Sequence, residues 1–179
     1  MPVTFQCFQT YHAKERCLMT AIEYNKCVDE YADGVYRFVL KNVRDKEKAR
    51  DIVQDTFEKL WLKVATVRTE KAKTYLFTIA YHTMIDAIRK EKYQDDFEQV
   101  KEENYSTHNT FNDLKAILNR ALTRLSGIQR SVILLRDYEG YSYDEIGEIT
   151  GLNESQVKVY IYRARIILKE YIGKLDTVV

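Results

Sequence analysis

The stretch that decides the fold lies between residues 139 and 165 and reads EGYSYDEIGEITGLNESQVKVYIYRAR. Its first part, residues 143–149, has the pattern of a short amphipathic helix, and Gly151 follows as a helix-ending residue. Asn153 then precedes a second helical pattern, with Gln156 three residues later as a capping-box partner. Two helices joined by a tight turn that contains glycine predict a helix-turn-helix.

The second of these helices has an apolar side and a polar, basic side. Its apolar stripe consists of Val157, Ile161, Ala164 and Leu168. At about 100° per residue, the side opposite this stripe carries Ser155, Gln156, Val159, Tyr162 and Arg163. Lys158 and Arg165 flank that side. In a helix-turn-helix the second helix enters the major groove and its N-terminal half contacts base edges, although helical hairpins of this shape also occur in proteins that do not bind DNA. The candidate duplex-contacting residues are Ser155, Gln156, Lys158, Val159, Tyr162 and Arg163.

The composition of the whole chain favours a helical protein with a substantial core. Of its 179 residues, 45% are apolar and 31% are charged, which excludes a disordered chain. Only six glycines and one proline are present, too few for the many tight turns of a sandwich or barrel. No apolar run approaches the roughly 18 residues of a membrane span, and residues 1–10 lack the pattern of a secretory signal. We therefore expect a cytoplasmic protein without direct membrane insertion.

The cysteines give no strong indication of a metal site. Cys7, Cys17 and Cys27 are ten residues apart, a spacing that fits neither a disulfide framework nor a metal knuckle. His12 lies between the first two, so a metal site remains the alternative to thiols in a reducing cytoplasm. We predict no metal and no cofactor, and we interpret residues 1–18 as an N-terminal extension or as the product of a misplaced start.

The charge is segregated along the chain although the formal net charge is only +1. Residues 63–92 contain seven basic and three acidic residues, residues 95–113 six acidic and one basic, and residues 154–174 five basic and two acidic. Two basic blocks indicate two modules that face a polyanion; solvated helix faces with accidental clustering are the alternative. The acidic stretch 94–112 loses helical periodicity and is predicted to be an interdomain linker. The predicted domains are therefore residues 19–93 and 113–179.

The first domain carries an acidic stripe on a predicted helix, residues 46–64, that Asp45 can cap. Apolar residues recur at intervals of three and four along this helix and predict one buried side, and a neighbouring stripe contains three carboxylates with no base between them. Such a stripe suits a partner surface rich in arginine, or it is simply a solvated face. The apolar set is Val53, Phe57, Leu60 and Val64, and the acidic stripe is Asp51, Gln54, Asp55 and Glu58.

A second helix in this domain, about residues 71–92, interleaves basic and aromatic residues towards its flanks and solvent. Single-stranded nucleic acid needs both phosphate neutralisation and flat faces for stacking, so this pattern favours strand binding. Tyr75 and Tyr81 are also open to the alternative of half-buried core residues. The predicted inward face is Leu76, Ile79, Ala80, Thr83 and Ala87.

Three segments resemble extracytoplasmic-function (ECF) sigma factors. Residues 51–61, DIVQDTFEKLW, resemble the polymerase-binding segment of that family. Residues 75–80, YLFTIA, with residues 85–90, IDAIRK, are similar to its −10-element helix, and the segments between residues 125 and 165 are similar to its −35-reading domain. The resemblance covers residues 20–93 and 111–173. Its motifs stand in the family's order and at its separations.

The resemblance implies an all-α fold of two small helical domains, a sigma-2-like bundle and a sigma-4-like helix-turn-helix domain, joined by a flexible acidic linker. It also implies binding to core RNA polymerase (clamp helices and flap) and to promoter DNA, and an anti-sigma factor as a further partner. Polymerase contacts would come from Asp51, Gln54, Asp55, Phe57 and Glu58. Contacts to the −10 element would come from Arg68, Lys71, Lys73, Tyr75, Tyr81, His82 and Arg89, and contacts to the −35 element from the six candidate duplex-contacting residues named above.

Some positions depart from the family pattern. His82 stands where the family usually has Asn, Ser126 where Pro is common, and Gly147 where Ala is usual. Val159 and Tyr160 occupy positions where small polar residues and Arg are frequent, so the −35 sequence that is read can differ from that of well-known members.

Catalysis is not indicated by the sequence. It contains no glycine-rich phosphate loop and no His-Glu-x-x-His motif, and we expect no small-molecule substrate. Tyr141 or Tyr143 could suggest a recombinase nucleophile, but no cluster of Arg and His accompanies them. The alternative to a sigma factor is a stand-alone helix-turn-helix regulator with an N-terminal helical sensor or dimerisation domain.

Overall fold

The computed structural model of the protein describes residues 18–95 and 113–176, and the regular structure of these residues is helical. Single turns of 3-10 helix, Val64–Thr66 and Thr69–Lys71, connect α2 to α3. The predicted all-α fold is thus confirmed. The helices are α1 (Ala21–Val43), α2 (Lys46–Leu62), α3 (Ala72–Asp95), α4 (Asp113–Thr123), α5 (Gly127–Asp137), α6 (Tyr143–Thr150) and α7 (Glu154–Asp176).

The helix ends follow from local side-chain chemistry. Asp45 caps α2 as predicted, since its Oδ1 accepts hydrogen bonds from the backbone N–H groups of Glu47 and Lys48 at 2.8 and 3.1 Å. Ser126, at the position where the family commonly has Pro, caps α5 and forms a reciprocal capping box with Gln129. A serine cap satisfies N–H groups that a helix otherwise leaves unpaired at its start. The substitution therefore preserves the start of α5 by a different mechanism.

The segments flanking the first domain differ slightly from the sequence prediction. Gln94 and Asp95 belong to the last turn of α3, so helix extends two residues into the predicted linker; the rest of that linker lies outside the described residues. At the other end, Leu18 forms a β-bridge with Arg68, and the N–H of Met19 donates to the carbonyl of Val67 at 2.8 Å. The Met19 side chain is buried in the hydrophobic core, so the first domain begins at or before this residue.

The first domain packs α1, α2 and α3 around one core. Phe57 and Leu60 of the predicted apolar stripe are buried, and Val53 and Val64 are partly buried against them. In α3, Leu76, Ala80 and Thr83 are buried as predicted, whereas Ile79 and Ala87 are half-buried. The largest fully buried side chains of this domain are Val35, Val39, Leu60, Leu76, Phe77 and Met84.

The second domain consists of α4 to α7, with α5 and α7 in extensive contact. The buried side of α7 contains Val157, Ile161 and Ala164, as predicted, while Leu168 is half-buried. The run from Val132 to Leu135 on α5 faces them from within the core. This packing fixes which side of α7 remains outside.

The two domains pack directly against each other. Helix α1 contacts α5, and α3 contacts α6, so the buried residues of both domains form one continuous hydrophobic cluster. The sequence predicted two modules and left their mutual placement open. Burial across this junction means that part of each predicted DNA-facing module also faces the other domain.

The described residues contain no helix with the length and hydropathy that a bilayer crossing needs. They also contain no group of three or more His, Cys, Asp or Glu side chains placed to hold a metal ion. Of the candidate metal ligands, Cys27 is a buried free thiol, and Cys7, His12 and Cys17 lie outside the described residues.

Candidate nucleic-acid and protein interfaces

The acidic stripe of α2 lies on the surface. Asp51, Gln54, Asp55 and Glu58 are all exposed, and in the described part of the chain none of the three carboxylates takes part in an ion pair. Phe57 is only 9% exposed and its carbonyl accepts a hydrogen bond from the Tyr24 hydroxyl at 3.1 Å. The stripe therefore offers negative charge that no ion pair among the described residues neutralises. The predicted polymerase contact through Phe57 is wrong for this arrangement, because its side chain is buried in the core.

An apolar groove of about 460 Å³ runs beside the acidic stripe, between α1 and α2. Ala32 and Tyr36 from α1 and Arg50, Val53 and Gln54 from α2 line it. Because Gln54 belongs to both the groove and the stripe, the two features form one continuous surface. A partner helix with apolar residues along one edge and arginines along the next would match this surface in shape and charge.

Two bases at the junction of the 3-10 turn Thr69–Lys71 with α3 contact the helix-turn-helix domain. The Lys73 ammonium donates to the carbonyl of Glu139 at 3.3 Å and lies 4.8 Å from the centre of the Tyr141 ring. Lys71 pairs with Glu148 at 3.8 Å. Two of the predicted −10-element contacts are thus engaged within the chain.

The aromatic residues of α3 divide into buried and accessible rings. Tyr81 is only 7% exposed and burial raises the pKa of its hydroxyl, so the prediction that it faces solvent is wrong and the core alternative holds. Tyr75 is half-buried, and His82 is exposed, with its ring 5.4 Å from the Tyr81 ring. The sequence pattern placed Tyr81 correctly on α3, but periodicity could not show that the bundle covers this flank of the helix.

The remaining bases of the predicted −10 surface are exposed. Arg68 holds the β-bridge to Leu18 through its backbone, which leaves its side chain at the surface. Arg89 makes an exposed ion pair with Asp86 at 3.6 Å, an interaction worth at most about 1 kcal/mol. Both guanidinium groups are accessible to a polyanion.

Aromatic packing holds the two domains together. The ring of Phe77 on α3 lies 5.7 Å from Phe38 of α1 and 5.4 Å from Tyr141 of the second domain. Tyr141 is 3% exposed and its hydroxyl has no hydrogen-bond partner among the described residues. Burial, together with the negative charges of Glu139 and Glu145, raises the pKa of this hydroxyl. Its burial excludes Tyr141 from the role of a recombinase nucleophile in this arrangement.

A buried arginine connects the end of α1 to the end of α4 and the loop that follows it, a role that the sequence pattern does not indicate. Arg130 on α5 donates to the carbonyls of Leu122 and Leu125 at 2.9 Å each and to the carbonyl of Asn42, in α1, at 3.2 Å. Burial lowers the pKa of its guanidinium to about 10, with a further contribution from Arg44. The carbonyl ends of α1 and α4 carry partial negative charge, which stabilises the cation there. The sequence signal for this buried position is that Arg130 stands just before the apolar run 132–135.

The turn of the helix-turn-helix is tight, as predicted, and depends on two glycines. Gly151 ends α6 with a φ of 74°, in the left-handed region. A Cβ atom at Gly147 would lie 2.7 Å from the carbonyl oxygen of Leu152. Asn153 and Gln156 form the predicted capping box at 3.0 and 2.8 Å and start α7. The glycine at position 147 thus permits the close approach of α6 to the turn.

The outer face of α7 is exposed as predicted. Ser155, Val159, Tyr162 and Arg163 all lie at the surface, whereas Gln156 is also exposed but engaged in the cap. Lys158 pairs with Glu154 at 2.6 Å, a contact that raises the pKa of its ammonium. The face is available for a duplex, with some of its polar groups already hydrogen-bonded.

Comparison with known proteins connects both domains to one family. Residues 27–93 match Sigma-70 region 2 and residues 115–168 match Sigma-70, region 4. The chain is 31% identical to RNA polymerase sigma factor YlaC of Bacillus subtilis over 81% of its own length and 89% of that protein. The chain belongs to the ECF group of the sigma-70 family. This sigma factor is also 32% identical to SigV of Bacillus subtilis, over 84% of its length and 91% of SigV.

A solved structure gives the same result for the fold. The sigma factor RpoE, in complex with the anti-sigma factor NepR from Bartonella quintana, superposes with a TM-score of 0.75 at 27% identity, covering 84% of this sigma factor and 97% of RpoE. Sigma factors are non-catalytic initiation factors, and this one directs transcription initiation. The stand-alone regulator is not favoured, because both domains match sigma regions.

Proposed function

We propose that this sigma factor binds core RNA polymerase through the acidic stripe Asp51, Gln54, Asp55 and Glu58 and the groove beside it. The observation that carries this assignment is the exposure of three carboxylates without an ion pair in the described residues, directly next to an apolar groove. Like charges at spacings of three and four residues on a helix repel each other by about a few tenths of a kcal/mol per pair. A basic partner relieves this repulsion on binding.

Promoter DNA is the second partner in this proposal. Exposed and half-buried residues of the first domain would hold the non-template strand at the −10 element, and the outer face of α7 would read the −35 duplex. Phosphate neutralisation and ring stacking act together on a single strand, and a helix in the major groove reads base edges. The −10 set is Arg68, Lys71, Lys73, Tyr75, His82 and Arg89, and the −35 set is Ser155, Gln156, Lys158, Val159, Tyr162 and Arg163.

The energetics require the polymerase. Opening duplex DNA costs on average about 1.4 kcal/mol per base-pair step, so a bubble of about ten pairs costs more than 10 kcal/mol. Stacking of one or two extruded bases returns about 1–3 kcal/mol each. The sigma factor alone therefore directs melting without driving it and acts as a specificity subunit, not as an enzyme.

The proposal includes an anti-sigma factor and a cytoplasmic location. RpoE, whose structure superposes on this sigma factor, was solved in complex with the anti-sigma factor NepR. A protein that works on polymerase and promoter DNA acts where both are found, in the cytoplasm.

Run-off transcription with purified core polymerase tests the docking assignment. Charge reversal by Asp51→Lys and Asp55→Lys, singly and together, should reduce promoter-directed transcripts, and the double variant should abolish them. Glu30→Lys is the matched control, because Glu30 is an exposed carboxylate on α1 that does not line the groove. It should transcribe like the unchanged protein. Normal transcription from the double variant would refute docking through this stripe.

A further inference from the structure

The outer face of α7 has an apolar centre. Val159 is 45% exposed, Tyr162 68% and Ile166 39%. At about 100° per residue, these three side chains fall within about 60° of one another around the helix. They lie opposite the buried stripe of α7 and form the middle of the side of α7 that the other described residues leave uncovered.

Basic residues border this apolar centre on both sides. Arg163 lies on one side and Lys158 and Arg165 on the other. Lys158 is held by Glu154 at 2.6 Å and lies 5.7 Å from the Tyr143 ring, while Arg165 is held by Asp137 at 2.8 Å. Arg163 makes no ion pair among the described residues and suits a phosphate directly, whereas Lys158 and Arg165 can bind one only by exchanging their carboxylate partners. The centre suits an apolar group.

Duplex DNA offers both kinds of group at the spacing of one helix in its major groove. Phosphates line the groove edges, and the apolar group that base edges present on the groove floor is the C5 methyl of thymine. A protein helix could also cover the apolar centre, but basic residues on both borders favour the nucleic acid. Near the start of α7, Gln156 is already engaged in the cap. Val159 is thus the most central side chain in the half of α7 that reaches base edges.

We propose that Val159 contacts the C5 methyl group of a thymine in the −35 element and thereby makes that base pair part of the sequence that this sigma factor selects. The inference rests on the proposed function, since it assumes that α7 reads the −35 duplex. It adds which side chain specifies a base and by which chemical group. Tyr162, larger and more exposed, lies one turn further along the same face.

The test replaces thymine by deoxyuridine, which removes the methyl group and leaves every hydrogen-bonding group of the base pair in place. Holoenzyme assembled from core polymerase and the full chain first selects −35 sequences from a duplex library with randomised positions. Each thymine of the selected element is then replaced singly by deoxyuridine, and holoenzyme affinity is measured. We expect one position at which the loss of the methyl group weakens binding about fourfold, the effect of one buried methyl-sized group.

A cycle with protein variants then assigns that methyl group to Val159. Val159→Ala should weaken binding to the thymine duplex by a similar factor and should show no further loss on the deoxyuridine duplex. The control is Ile172→Ala, because Ile172 is 38% exposed but lies about 20 Å further along α7. This variant should keep the full sensitivity to deoxyuridine.

Two results would overturn the inference and leave the proposed function intact: Val159→Ala could retain the deoxyuridine sensitivity of the unchanged protein, or no selected thymine could depend on its methyl group. Failure of the holoenzyme to select any −35 element would instead refute the assignment of α7 as the duplex reader. The two failures are therefore distinguishable.

Discussion

Replacing Gly147 by alanine tests how closely α6 approaches the turn that leads into α7. Alanine raises helix propensity by about 1 kcal/mol over glycine. The new Cβ would lie 2.7 Å from the backbone carbonyl oxygen of Leu152, so the turn must shift. Overpacking of this kind costs about 1–3 kcal/mol. We therefore expect Gly147→Ala to be neutral or to lower the free energy of unfolding by up to about 2 kcal/mol.

Gly34→Ala is the matched control for this prediction. Gly34 lies inside α1, and a Cβ there would be 3.4 Å from the Glu139 carboxylate, the end of a flexible side chain. This variant gains the same helix propensity without a backbone clash, so it should raise the free energy of unfolding by up to about 1 kcal/mol. The two variants should differ by about 1–3 kcal/mol.

Urea denaturation followed by circular dichroism measures both variants. The comparison depends on the shift in midpoint at unchanged slope, which reports a change in stability. Footprinting of the holoenzyme adds a functional readout, since a displaced start of α7 should weaken protection of the −35 element. Equal stabilisation by both alanines would refute the close approach of α6 to the turn.

Three further predictions concern the domain junction and the helix caps. Tyr141→Phe removes a buried hydroxyl without a partner in the described residues and should raise the free energy of unfolding by about 1–3 kcal/mol in urea titrations; a loss would show that the hydroxyl is hydrogen-bonded. Asn42 accepts a hydrogen bond from the buried Ser131 hydroxyl at 3.0 Å, so Asn42→Ala and Ser131→Ala should each destabilise the protein and couple by about 0.5–3 kcal/mol in a double-mutant cycle; additivity would contradict the contact. Hydrogen bonds from Ser142 lower the pKa of Glu145 below its ordinary value of 4.5. The ionised Glu145 carboxylate therefore stabilises the fold above pH 4.5, and this stabilisation is lost as the pH falls through the lowered pKa. In pH-dependent denaturation the Glu145→Gln variant should lose less stability over that interval than the unchanged protein, and an identical pH profile would argue against the cap.

The local features of this fold could be predicted from the sequence. Asp45, Gly151 and the pair Asn153 and Gln156 each act on the nearest few backbone groups, and the structure confirms all of them. The exposure of the acidic stripe on α2 and of the outer face of α7 was predictable for a similar reason. Helical periodicity separates the two sides of an amphipathic helix without reference to the rest of the chain.

The features that depend on distant residues could not be predicted in this way. Tyr81 is buried because the bundle covers its flank of α3, and Tyr141 is buried because Phe77 of the first domain packs against its ring. Arg130 donates to two nearby carbonyls, those of Leu122 and Leu125, but also to the carbonyl of Asn42, which lies 88 residues away in α1. Charge and aromatic patterns identify residues that can bind a nucleic acid. They do not show which of these residues the protein itself already contacts.

The contacts of Lys71 and Lys73 with the second domain have a thermodynamic consequence. In the packed arrangement Glu148 and the Glu139 carbonyl hold the two ammonium groups that the proposed −10 surface would offer to phosphate oxygens. A strand that takes up the same ammonium groups must displace these internal acceptors, so strand capture and domain packing are linked equilibria with opposite signs. Any ligand that holds the two halves together raises the apparent dissociation constant for the strand, and any scaffold that draws them apart lowers it.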